Sequence, residues 1–112
     1  MTEQLTCTLA EDANLGPVLH VRGEVDLATA DQFREAALEA VGRHHRVVFD
    51  VAGTRLLDAS GLRVLHTAAR EARRLGHRAP VLRGVRPLLA RSLRITGLHD
   101  VFESEPAGPR AP

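Results

Sequence analysis

Asp58-Ala59-Ser60-Gly61-Leu62 is the segment whose residue types and spacing most clearly allow chemistry. It follows an apolar, strand-like run, Arg46-Val47-Val48-Phe49-Asp50-Val51, and opens a helical pattern near Ala59. The first amides of a helix lack intrahelical partners and the dipole is positive at that end, so a phosphate on the Ser60 hydroxyl would meet main-chain donors. If the Asp58 carboxylate caps the helix, Ala59 and Ser60 are its first two residues. The hydroxyl then stays free and exposed, and Gly61 has no side chain to shield it. The competing arrangement makes Ser60 itself the cap, with no further role.

Other chemistries find less support. A hydrolytic serine needs a base within hydrogen-bond reach, whereas His66 stands about 9 Å further up the helix and roughly 120° around it. The Gly-x-Ser-x-Gly elbow is missing and no Gly-rich oxyanion segment precedes Ser60, so no enzyme is expected. Among six histidines, the strand-like neighbours His44 and His45 point to opposite sides and no pair has i, i+4 spacing. Solvent-facing histidines and no metal site are the expectation. Neither Gly-x-Gly-x-x-Gly nor Gly-Lys-Ser occurs, so no nucleotide or other cofactor is expected.

Composition narrows the partners. With 112 residues the chain makes one domain, and with no Trp or Tyr its core must be built from Leu, Val and Ala around Phe33, Phe49 and Phe102. Residues 1–58 carry ten acidic and five basic side chains, residues 59–112 four and ten, and every basic residue is Arg. Arginines without interleaved aromatics, beside an acidic first half, fit a solvated or protein-recognition face better than nucleic acid. No apolar run reaches the roughly 18 residues needed to cross a bilayer, and Met1-Thr2-Glu3-Gln4 does not begin like a signal peptide. A cytoplasmic protein without membrane contact is expected. Cys7 is the one cysteine, which excludes an internal disulfide and fits a reducing compartment. Alternation of Leu5, Cys7 and Leu9 with Thr6 and Thr8 turns its thiol inward.

The elements that position Ser60 follow from periodicity. Leu5–Leu9 reads as a strand, returned by the turn residues at 11–16 into a second strand over Val18–Arg22, which Gly23-Glu24-Val25-Asp26 ends. Thr29 with Gln32 forms a capping box, and Ala30, Phe33, Ala37 and Val41 mark a helical stripe that Gly42 stops. The unalternating run 46–51 suits a central strand covered on both faces. In the second helix, Leu62, Leu65, Ala69 and Ala72 form the buried stripe, Arg63, His66, Arg70, Arg73 and Arg74 the wet side, and Gly76 the end. Ala79–Val85 is a fourth strand, and Pro87 starts a third helix running to Gly97. Val101-Phe102 is a short strand or anchor. Residues 1–104 are thus one domain, and the Pro-rich 105–112 a disordered tail. The order β-β-α-β-α-β-α gives an α/β fold with a mixed sheet of four to five strands flanked by helices.

Gly23-Glu24-Val25-Asp26 before Thr29-Ala30, the strand 46–51, Asp58-Ala59-Ser60-Gly61-Leu62 and Ile95-Thr96-Gly97-Leu98-His99-Asp100-Val101-Phe102 together resemble the STAS family, specifically bacterial anti-sigma factor antagonists. The resemblance covers about residues 5–103. It implies a STAS-like fold, Ser60 as phosphoacceptor, and a partner surface made by Asp26, Asp58, Ala59, Gly61, Leu62 and Arg63. It also implies an anti-sigma factor serine kinase as partner, bound when Ser60 is unphosphorylated so that the sigma factor is released, and a serine phosphatase that resets the switch. Ala59 stands where the family often has Ser or Thr, and the family's final amphipathic helix is missing. A STAS scaffold or transport-associated regulatory subunit, using the same surface without phosphorylation, is the alternative.

Overall fold

The computed structural model describes residues 4–105, with side chains placed through Phe102. Strands β1 (Leu5–Asp12) and β2 (Gly16–Val25) form an antiparallel hairpin. Helix α1 (Ala30–Arg43) follows, then β3 (Val48–Asp50), β4 (Thr54–Leu57), α2 (Ala59–Arg74), β5 (Val81–Arg83), α3 (Pro87–Thr96), a 3-10 turn (Leu98–Asp100) and β6 (Glu103–Glu105). The sheet runs β1-β2-β3-β5-β6, and β3, β5 and β6 are all parallel to their neighbours. The mixed sheet with three helices matches the expected order, with β4 and β6 in addition.

Pleating divides the sheet into two faces. The register aligns Leu9, Leu19, Phe49 and Leu82 across four strands, and their row joins α1 and α2 in the main core. There Phe33 of α1 meets Phe49 edge to face, with ring centroids 6.4 Å apart. On the opposite face Val18, Val48 and Val81 make a smaller cluster with Leu15. The central strand is therefore buried on both faces, which explains its lack of alternation. The next row on that second face is polar: Asp50 Oδ2 lies 3.5 Å from both His20 Nδ1 and Arg83 Nη1.

Several expectations change in detail. The helix α1 continues one residue past Gly42. The capping box is not formed: Thr29 makes no side-chain cap bond, and Gln32 Nε2 donates instead to the Leu5 carbonyl at 3.0 Å. Helix α2 ends at the expected place, where His77 N–H donates to Ala72 O and Gly76 N–H to Arg73 O, at 2.8 and 3.0 Å. Phe102 is a buried anchor. The tail assigned to 105–112 lies outside the described residues except for Glu105, which closes β6 opposite Arg83.

Strand β4 is the element that sequence periodicity does not show. After Val51 the chain makes a short excursion through Ala52 and Gly53 and then pairs in parallel with the far end of β2, Val25 opposite Leu57. The register shifts by a residue between Gly23 and Glu24. At that irregularity Gly23 has φ +111°, and a Cβ there would overlap the Gln4 carbonyl oxygen. Only glycine lets β1 begin this close to β2.

Candidate functional site

The ends of β2 and β4 bring two turns together. Asp58 N–H donates to Val25 O at 3.1 Å, so the turn entering α1 sits beside the one entering α2. Both are organised by an aspartate. At the first, Asp26 Oδ1 accepts from the N–H groups of Ala28 and Thr29 at 2.9 and 3.2 Å, and its Oδ2 accepts from Gln4 Nε2 at 3.2 Å. The Asp26 carbonyl accepts from Ala30 N–H at 2.8 Å. Asp26 therefore fixes the turn ahead of α1, while the buried hydroxyl of Thr29, the N-cap residue, accepts from Asp26 N–H and donates to Glu24 O.

At the second turn Asp58 is the N-cap, with φ −89° and ψ −166°, as the first of the two sequence arrangements requires. Its Oδ1 accepts from Ser60 N–H at 2.9 Å, from Gly61 N–H at 3.3 Å and from the Ser60 hydroxyl at 2.5 Å. The free, exposed hydroxyl of the sequence reading is thus corrected in two respects: Ser60 is half-buried, and its Oγ–H is committed to Asp58. The helix amides that phosphate was expected to meet are also occupied, since Asp58 already serves those of Ser60 and Gly61. The Ser60 hydroxyl, first, and the two amides hold the Asp58 carboxyl below the ordinary 3.8 despite some desolvation.

Around this pair the sequence-derived residues divide. Ala59 and Arg63 are exposed, while Asp26, Asp58 and Leu62 are half-buried. Gly61 is buried, and its role is close packing: a Cβ would come within 2.6 Å of Leu57 Cγ and 2.9 Å of Val25 Cγ1. Ala59, Leu62 and Arg63 form one wall of a depression of about 330 Å³, closed by His66, Thr96 and Leu98. Sequence reasoning missed Leu27, which projects from the first turn with 86% of its surface exposed. Its signal was an apolar side chain between two residues committed to a turn.

Among the described residues no group of three or more histidine, cysteine or carboxylate side chains is placed to hold a metal ion. The histidines are less uniformly solvent-facing than expected. His77 Nδ1 is 2.9 Å from Val41 O and its ring meets that of His45 edge-on, while His20 is drawn to Asp50. Among the described residues no helix is long and apolar enough to cross a membrane.

A mixed sheet with helices packed on one face, and two aspartate-capped turns at the ends of parallel strands, is the architecture of a STAS domain. The family model described as Mlab, STAS domain matches residues 9–103, and the chain belongs to that family. The fold is similar to an anti-sigma factor antagonist from Mycobacterium paratuberculosis, with TM-score 0.76, 22% identity, and coverage of 92% of this chain and 86% of that one. It is also similar to an anti-sigma-factor antagonist (STAS) domain protein from Planctomyces limnophilus, with TM-score 0.73, 16% identity and 91% of each chain covered. The Bacillus cell fate determinant SpoIIAA in its phosphorylated form aligns with TM-score 0.67 and 19% identity over 88% of this chain and 90% of that one. At these identities the likeness is one of fold. No curated protein matches the sequence.

Proposed function

We propose that this STAS domain is a non-enzymatic anti-sigma factor antagonist. In this reading it binds an anti-sigma factor that is a serine kinase, through the surface around Asp26, Asp58, Ala59, Leu62 and Arg63, and so releases the sigma factor. Phosphorylation of Ser60 ends the complex, and a serine phosphatase restores it. The observation that carries the reading is the place of Ser60, in the first turn of α2 and beside the Asp26 turn. The similar structure described as an anti-sigma factor antagonist and that of the Bacillus cell fate determinant SpoIIAA in its phosphorylated form support it.

The switch works through the cap. Unphosphorylated Ser60 donates to Asp58. Phosphate replaces that donor with about −1.5 to −2 charges and three acceptor oxygens, so Asp58 loses a partner and gains a like charge. Because Asp58 holds the nearby amides, the phosphate either displaces it or projects toward the partner, and both change what the partner meets. If burying that dianion costs about 3 kcal/mol, affinity falls more than a hundredfold.

Calorimetry with the anti-sigma factor kinase encoded nearest its gene tests this. Wild type and Ser60→Ala are expected to bind, and Ser60→Asp and the phosphorylated protein to bind at least about a hundredfold more weakly with unchanged circular dichroism. Equal affinities for all four, or phosphate mapped by mass spectrometry to Thr54 or Thr67, overturn it. A second reading, a STAS scaffold or transport-associated subunit that is never phosphorylated, is favoured by the half-buried, already bonded hydroxyl. It requires that the binding partner leave Ser60 unmodified in the presence of ATP.

A further inference from the structure

Beside β4 the molecule exposes two apolar side chains that line one groove: Leu88 is 80% exposed and Leu56 47%. Leu56 and Leu57 of β4 face Pro87, Leu88 and Leu89 of α3 across a groove of about 370 Å³. That volume falls in the lower part of the range of small-molecule sites, roughly 300–1,000 Å³. The groove also opens near the carboxyl ends of the parallel strands, where α/β sheets commonly take their ligands.

Two guanidinium groups border it. Arg86 is fixed, because Nε and Nη2 both donate to Ala52 O, at 3.0 and 2.8 Å, which leaves the Nη1 hydrogens directed elsewhere. Among the described residues Arg55 makes a long contact to Glu24, 3.7 Å between an exposed guanidinium and a half-buried carboxylate. No acidic residue is found among the described lining residues, and α3 itself carries Arg91 and Arg94 with no carboxylate. Aliphatic walls with a positive rim select one kind of occupant: an apolar chain ending in an anion, which buries the leucines and gives the arginines a charge-assisted partner.

We propose that the groove between β4 and α3 binds an amphiphilic anion, an alkyl carboxylate whose chain lies on Leu56, Leu88 and Leu89 and whose head group meets Arg86 and Arg55. The groove adjoins the Ser60 turn through Leu57, which lines the groove and packs beneath Gly61 in the first turn of α2.

Decanoate, kept below its micelle threshold, is the probe, titrated into the full chain by calorimetry and by NMR of leucine methyl groups. Saturable one-to-one binding is expected with Kd on the order of 0.1 mM, as suits a ligand of this size. Leu88→Glu, a change at an exposed position, is expected to weaken it at least tenfold with an unaltered circular dichroism spectrum. Arg86→Ala should weaken decanoate several-fold and leave decanol unaffected. The proposal is overturned by no saturation up to millimolar decanoate, by equal binding of decyltrimethylammonium, or by loss of binding in neither variant. It is equally overturned if Leu88→Glu instead abolishes self-association in sedimentation, or capture on anionic vesicles by a protein that ignores monomeric decanoate. Either result assigns the groove to a second copy or to a membrane surface.

Discussion

Gly23→Ala is a sharp test of how the two strands that hold the site are joined. Residue 23 has φ +111°, a conformation costing a non-glycine residue about 1–3 kcal/mol. Its new Cβ would also overlap the Gln4 carbonyl oxygen, which accepts from Glu24 N–H at 2.9 Å. Relief requires the start of β1 to move away, and losing that hydrogen bond costs about 0.5–1.5 kcal/mol more. Gly16→Ala is the control, because φ is again positive, +77°, but nothing lies within 4 Å of the added carbon. Both substitutions reduce the freedom of the unfolded chain alike, so that contribution cancels. With a positive-φ cost in both, the difference between them reports the strand contact, about 1 kcal/mol, or a Tm lower by roughly 4–8 °C in Gly23→Ala than in Gly16→Ala. Thermal unfolding followed by circular dichroism measures it. Equal Tm values in the two variants would refute the account of β1 pressed against β2 at this point. Amide exchange at Glu24 should quicken only in Gly23→Ala, since its N–H donates to the Gln4 carbonyl.

Three further outcomes are expected. The Asp58 carboxyl, followed by carbon NMR, should titrate below 3.8; with its pKa depressed in the folded state, its stabilising contribution is complete above the unfolded value and is lost as pH falls through the folded one. Ser60→Ala removes the largest cause and should raise that midpoint toward 3.8, whereas an unchanged midpoint would show that the hydroxyl does not bond Asp58. Cys7 is half-buried, and desolvation pushes its thiol up to about 11, so alkylation of native protein at pH 8 should proceed with only ~0.1% thiolate. Labelling as fast as in denaturant would place β1 elsewhere. Arg63 and Arg70 are exposed on α2, so if the chain meets an anti-sigma factor there, association should slow as salt shortens the screening length. A rate that ignores both salt and Arg63→Ala excludes electrostatic steering.

The helices were largely legible because their signals are local. The Asp58 cap, Pro87 at the start of α3 and the stop at Gly76 each depend on neighbours within a turn. Strand β4 was not, because Thr54-Arg55-Leu56-Leu57 is short and unalternating and becomes a strand only through β2, some thirty residues earlier. Thr29 and Gln32 satisfied the capping pattern, yet the Thr29 hydroxyl is committed to Asp26 N–H and Glu24 O, and Asp26 takes the Thr29 amide that Gln32 would have reached. At the candidate site the order of Asp58, Ala59 and Ser60 showed who caps whom. It did not show that a carboxylate already receiving two amides would also receive the hydroxyl. The exposure of Leu88 and Leu27 was hidden for a similar reason, since an apolar residue becomes surface only when no other element arrives to cover it.

The bond from Asp58 N–H to Val25 O has a consequence for when the surface exists at all. Its two turns belong to segments about thirty residues apart, so their pairing must offset the entropy of closing that loop. A chain opened along the β2–β4 seam carries both Asp26 and Ser60 but not the surface they make together. The arrangement of the two turns is therefore a property of the β2–β4 seam rather than of either turn alone, and a copy opened there loses it while each aspartate still holds its own turn.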